Sequence, residues 1–128
     1  MIHNVVIGVG SNIEPQKNIS RAKILLAKNF RIMRKSRFIK TTPVGKPKQP
    51  SFRNGAIFIK TDLTPTQLKN ALKKIEAQLG RTPTSNRFSP RTIDLDIIVW
   101  DGKIVDKDFY HRDYLKKSIL EIIPDLKY

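Results

Sequence analysis

The chain has 128 residues, 39% of them hydrophobic, with a formal net charge of +14 and no cysteine. That length suits one domain with a single sizeable core, and the absence of cysteine excludes disulfides, thiolate-ligated zinc and thiol catalysis. No run of about eighteen apolar residues is present and Ile2 to Val9 reads as a strand rather than a leader, so a cytoplasmic protein without a membrane partner is expected.

The charge is uneven. Residues 1–63 carry 13 Lys and Arg against Glu14 and Asp62, whereas residues 64–128 carry 12 against nine acids. Such an excess raises the prospect of a nucleic-acid partner. The mixed run from Arg31 to Lys40 reads first as a solvated strand face whose charges guard an edge against aggregation, with a field that attracts nucleotide or nucleic acid as the alternative.

Ile2 to Val9 is the first strand, ended by the turn-like Gly8, Gly10, Ser11 and Asn12. A helix is predicted over about Asn18 to Lys28, with Ile19, Ala22, Leu25 and Leu26 on one side. A second strand covers about Phe30 to Thr41, and Thr42 to Pro50 is a proline-stiffened loop suited to a binding wall. The third strand, about Phe52 to Lys60, places Phe52, Asn54, Ala56 and Phe58 on one face.

The next helix is the most fully specified. Thr64 is its N-cap, Pro65 its first position, Gln67 completes a capping box, and Gly80 stops it. Leu68, Leu72, Ile75 and Leu79 form the buried stripe. Glu76 stands beside that stripe near the helix C-terminus, where the dipole disfavours a carboxylate, and so calls for a cationic or hydrogen-bonding partner.

The run Ile93 to Trp100 has the composition of a buried strand, yet Asp94 and Asp96 interrupt it at a spacing of two, which places both on one face. Adjacent carboxylates repel unless a cation sits between them, and oxygen ligands suit Mg²⁺. Arg81, Arg87 and Arg91 precede them on a loop containing Pro83, Ser85 and Pro90, and arginines beside a metal site suit phosphate. The plainer alternative is a solvent-facing edge strand whose aspartates pair with those arginines. Asp101-Gly102 is a turn, and Ser118 to Leu126 is apolar enough to pack on the core.

The order β-α-β-β-α-β predicts an α+β ferredoxin-like sandwich, an antiparallel sheet with helices on one face. Function is left to the site.

The run Gly80-Arg81 followed by Arg87-Phe88-Ser89-Pro90-Arg91-Thr92-Ile93-Asp94-Leu95-Asp96-Ile97 closely resembles the signature of the 6-hydroxymethyl-7,8-dihydropterin pyrophosphokinase family. Gly10-Ser11-Asn12, Thr42-Pro43-Val44-Gly45, Gln49 to Asn54, Ile75-Glu76 and Glu121 to Pro124 extend the resemblance over nearly the whole chain. It implies transfer of pyrophosphate from ATP to the hydroxymethyl of a dihydropterin, with AMP leaving and two Mg²⁺ ions between the aspartates and the phosphates.

Carried over by position, the resemblance implies Asp94 and Asp96 as metal ligands and, with Arg81 and Arg91, as the catalytic set. Thr41, Thr42, Pro43 and Val44 are implied as the pterin wall, Asn54 as the reader of its edge, and Phe52 with Tyr114 as the stacking rings. Glu76, Arg87, His111 and Arg112 are implied as ATP contacts. A monomer acting on small molecules, with no nucleic acid, is expected. The segment between Val105 and Arg112 is shorter than the family's, so Tyr114 is placed by its distance to Glu121. The alternatives are a basic ferredoxin-like RNA-binding module, or a diverged family member with altered or lost activity.

Overall fold

The computed structural model describes residues 1–42, 51–80 and 92–128. The chain runs β1 (His3–Ser11), α1 (Pro15–Asn29), β2 (Arg31–Lys35), β3 (Ile39–Thr41), β4 (Phe52–Thr61), α2 (Pro65–Gln78), β5 (Asp94–Trp100), β6 (Lys103–Ile104), α3 (Asp108–His111) and α4 (Asp113–Ile122). The strands form one antiparallel sheet in the order β2-β4-β1-β5-β6, with β3 also paired to β4. With helices packed on it, this is an α+β ferredoxin-like arrangement.

Each face of the sheet has its own core. Val5, Ile7, Val9, Ile57, Ile59 and Leu95 turn toward α1 and α2, where Leu26, Leu68, Leu72 and Ile75 meet them. Val6, Ala56, Ile98 and Val99 turn the other way, against Phe109, Leu115, Ile119 and Ile122. Helices on one face were expected; instead α4 covers the second, giving three layers. The reason is written in β1, whose unbroken apolar run from Val5 to Ile7 has no polar side to offer water.

Other departures are local. The single predicted second strand is split at Ser36, which is buried and exchanges bonds with Ala56 of β4. The Ser36 N–H donates to the Ala56 carbonyl at 2.9 Å, and the Ala56 N–H donates to Ser36 Oγ at 2.8 Å. β1 continues through Gly8 and Gly10 to Ser11 rather than ending there. The capping box of α2 forms as expected, Gln67 N–H donating to Thr64 Oγ1 and Thr64 N–H to Gln67 Oε1. Exposed Arg31, Arg34 and Lys35 line β2 at the sheet edge, as a guarded edge requires.

Asp101 (φ 48) and Gly102 (φ 81) both adopt the left-handed region, the geometry of a tight turn joining β5 to β6. Among the described residues no helix is long and apolar enough to cross a membrane.

Because α4 closes a full core layer, Ile119→Ala, at a fully buried position, should destabilise the fold by about 2–5 kcal/mol in urea unfolding. A loss below about 1 kcal/mol would mean that this layer is loosely packed.

Candidate active site

Strand register assembles the site. β1 lies between β4 and β5, and its Gly10 is paired with Asn54 on one side and Asp94 on the other. Gly8 is likewise paired with Ala56 and Asp96. Directly paired residues share a sheet face, and Ala56 belongs to the core under α4. Asp94, Asp96 and Asn54 therefore stand on the α4 side, with Phe52 two residues before Asn54 on that side too. Two strand spacings, about 10 Å, separate Asp94 from Asn54.

Gly10 makes the row possible. A Cβ on it would fall on Asn54 Oδ1, so only glycine lets the amide lie across β1. The other end of that amide is held by Thr41, whose hydroxyl accepts from Asn54 Nδ2 at 2.6 Å. Thr41 is paired with Phe52 in the ladder, so β3 holds the Asn54 amide and the backbone that carries the Phe52 ring. Neither contact was read from the sequence; the usable signal was a glycine inside a strand, which marks close approach of another group.

The aspartates are mutually strained in charge. The Asp96 carboxyl is pushed up to about 8 from its ordinary 3.8, first by the protein crowding it and then by the charge of Asp94. A hydrogen bond that the protonated Asp96 donates to the Asp94 carboxylate, and the charges of Asp106 and Glu76, add to this. Solvent nevertheless reaches Asp96, which lines a groove of about 470 Å³ along the outer edge of β5. Leu72, Leu95, Ile97 and Trp100 supply its apolar lining, with Lys69 and Asp106 among the polar residues.

This donor set suits Mg²⁺: two adjacent hard oxygens whose repulsion a cation relieves. Among the described residues no cluster of three or more His, Cys, Asp or Glu is placed to hold a metal. Two protein carboxylates with substrate phosphates completing the shell is the usual arrangement for this ion.

Tyr114 lies near enough to the aspartates to feel their charge. Placed in the first turn of α4 and half-buried against its core, its hydroxyl is raised above the usual range chiefly by burial. Arg112 opposes the rise, while Asp108, Asp94 and Asp96 add to it, so the phenol lies within the field of the aspartate pair. Arg112 is the N-cap residue of α4, and exposed His111 ends α3.

Glu76, implied above as an ATP contact, is turned inward from α2. It is 4% exposed, and its Oε2 accepts the Leu95 N–H at 2.8 Å. The partner anticipated for this carboxylate is thus supplied, at least in part, by backbone. Thr42 is exposed beyond β3. Arg81, Arg87, Arg91, Pro43 and Val44 lie outside the described residues.

The sheet thus carries a pair of carboxylates, an amide and the Phe52 ring on one face, with Tyr114 of α4 near the carboxylates. Residues 6–124 match the family 7,8-dihydro-6-hydroxymethylpterin-pyrophosphokinase (HPPK). A Pseudomonas aeruginosa protein named 2-amino-4-hydroxy-6-hydroxymethyldihydropteridine pyrophosphokinase is 32% identical over 138 residues, covering 99% of this chain and 85% of that protein. The Haemophilus influenzae protein of the same name is 30% identical over 131 residues, covering 94% and 81%. A folate synthesis bifunctional protein of Arabidopsis thaliana is 41% identical over 98 residues, covering 75% of this chain and 20% of that longer relative. The chain belongs to the 7,8-dihydro-6-hydroxymethylpterin-pyrophosphokinase family.

A carboxyl that titrates higher folded than unfolded favours folding fully below the unfolded value and loses that contribution as pH rises through the folded one. In EDTA, the melting temperature should therefore fall as pH rises from about 4 to about 8. Asp94→Asn, which removes the like charge beside Asp96, should flatten the fall. Parallel pH profiles for the two proteins would contradict the electrostatic account.

Proposed function

We infer that the chain carries out its family's reaction, transferring pyrophosphate from ATP to 6-hydroxymethyl-7,8-dihydropterin in folate biosynthesis. The observation that supports this best is the row Asp94-Gly10-Asn54, which sets a carboxylate pair and an amide about 10 Å apart on one face, the scale of a bicyclic heterocycle. In this reading Asn54 hydrogen-bonds the polar edge of the pterin. Phe52 and Tyr114 stack on its rings, Thr41 and Thr42 begin the wall that Pro43 and Val44 continue, and the hydroxymethyl points at the aspartates.

ATP enters along β5, its base in the apolar groove beside Leu72, Ile97 and Trp100 and its phosphates toward Asp96. The pterin hydroxyl oxygen attacks the β-phosphorus, the bond from that phosphorus to the α,β-bridging oxygen breaks, AMP departs and the hydroxyl proton is released. Asp94 and Asp96 are proposed to hold Mg²⁺, two ions with ATP, which would neutralise phosphate charge. No protein nucleophile is required, because phosphoryl-type transfer depends mainly on positioning and charge stabilisation.

Arg81 and Arg91 are proposed to stabilise the charge that develops on the transferred group, and Arg87, His111 and Arg112 to contact the nucleotide. Glu76 serves ATP in this reading only through β5. We further propose a monomer working in the cytoplasm on small molecules. The RNA-binding alternative is disfavoured because the sheet face that would stack bases in such a module is here covered by α4. The position of Tyr114 near the aspartates argues that the shortened segment is compatible with activity.

With ATP, Mg²⁺ and 6-hydroxymethyl-7,8-dihydropterin, the folded protein should form AMP and the pterin diphosphate in equal amounts; ADP, or no product, would overturn the reading. Gly10→Ala, by displacing Asn54, should weaken pterin binding about tenfold or more while binding of a non-hydrolysable ATP analogue is retained. Equal losses for both ligands would separate Asn54 from pterin recognition.

A further inference from the structure

The geometry points to Glu76 as a positioning residue that holds β5 so that Asp94 and Asp96 face the same ligand. This rests on the reading of that pair as the cation-binding carboxylates. Three observations carry it.

First, β5 is supported by a neighbouring strand on only one side at the aspartates. β1 pairs with it from Asp94 to Trp100, whereas β6 pairs only with Val99 and Trp100. The outer edge beside Asp94, Leu95 and Asp96 has no strand partner among the described residues. An edge without a partner leaves backbone groups unsatisfied and the strand free to shift.

Second, Glu76 takes the place of the missing strand. Its Oε2 accepts the Leu95 N–H at 2.8 Å in a buried bond, and Leu95 is the residue between the two aspartates. The bond fixes the backbone that sets the direction of both carboxylates. A strand at this place would close the groove beside Asp96, whereas one side chain rising from α2 leaves the groove open.

Third, Glu76 is a buried charge on a helix face otherwise made of Leu68, Leu72 and Ile75. Burying a carboxylate is costly unless hydrogen bonds compensate. The Leu95 N–H donates to one of its oxygens, and Lys73 Nζ lies 3.7 Å from the other. Glu76 needs no contact with substrate to act in this way.

The test separates reach from charge. Glu76→Gln keeps an acceptor at the same distance without the charge, and Glu76→Asp keeps the charge but is one methylene too short to reach Leu95. The probe is Mn²⁺ with α,β-methylene-ATP, followed by the electron paramagnetic resonance of free Mn²⁺, alongside hydrogen exchange at the Leu95 amide. Glu76→Asp should weaken Mn²⁺–nucleotide binding by about ten- to a hundredfold, the range for groups that orient metal ligands, and speed Leu95 exchange. Glu76→Gln should stay close to wild type in both. Binding by Glu76→Asp as tight as wild type, or an equal loss in Glu76→Gln, would overturn the proposal. Asp94→Asn is the control: if it too leaves Mn²⁺ binding unchanged, the assignment of the aspartate pair fails, and the positioning role with it. A loss in Asp94→Asn but none in Glu76→Asp rejects the positioning role alone.

Discussion

Repulsion between Asp94 and Asp96 is the constraint around which this sheet is arranged. Two carboxylates at a spacing of two on one strand are forced to the same face, and the crowding around Asp96 makes its ionised form expensive. Such a pair is relieved by a proton held between the carboxyls, as the raised Asp96 carboxyl indicates, or in the proposed reading by a cation. The backbone that carries it is held on both sides. β1 holds it from one side through Gly8 and Gly10, Glu76 holds it from the other, and α4 carries Tyr114 within reach of the pair's charge. The open groove beyond Asp96 leaves room for a ligand that carries phosphates.

The same arrangement explains why small residues occupy the centre. Leu115 and Ile98 pack close over Gly8, and the Asn54 amide lies over Gly10. A larger residue at either position would lift α4 or displace the amide, so the tight packing of β1 sets the distance between the carboxylates and Asn54. Thr41 then fixes that amide from β3. The site is thus spread over four strands, and the sequence separation from Gly10 to Tyr114 is bridged by sheet register rather than by any local motif.

Much of this was legible because it depends on local rules. Alternation alone placed Asp94 with Asp96 and Phe52 with Asn54, and the Thr64 to Gln67 capping box marked the start of α2. What escaped depends on tertiary contacts. Ser36 divides the predicted second strand only because Ala56 lies opposite it. The odd position of Glu76 was visible, but its Leu95 backbone partner could not be known without the packing of α2 on β5. The second core layer had a readable sign, the run from Val5 to Ile7 with no polar alternate. Its cover, α4, carries Leu115, Ile119 and Ile122 at helical spacing behind lysines that mask the pattern.

In the proposed reading one end of the sheet, where β1, β4 and β5 meet under α4, holds pterin and metal–nucleotide together. That reading is tested most directly by amide nuclear magnetic resonance of the protein bound to 6-hydroxymethylpterin and α,β-methylene-ATP, first with Mg²⁺ and then with paramagnetic Mn²⁺. The amides of Gly10, Leu95 and Asp96 should broaden first, followed by those of Asn54 and Tyr114, while β2 and α1 remain sharp. Broadening centred on the basic strand β2, with Leu95 and Asp96 unaffected, would contradict the account.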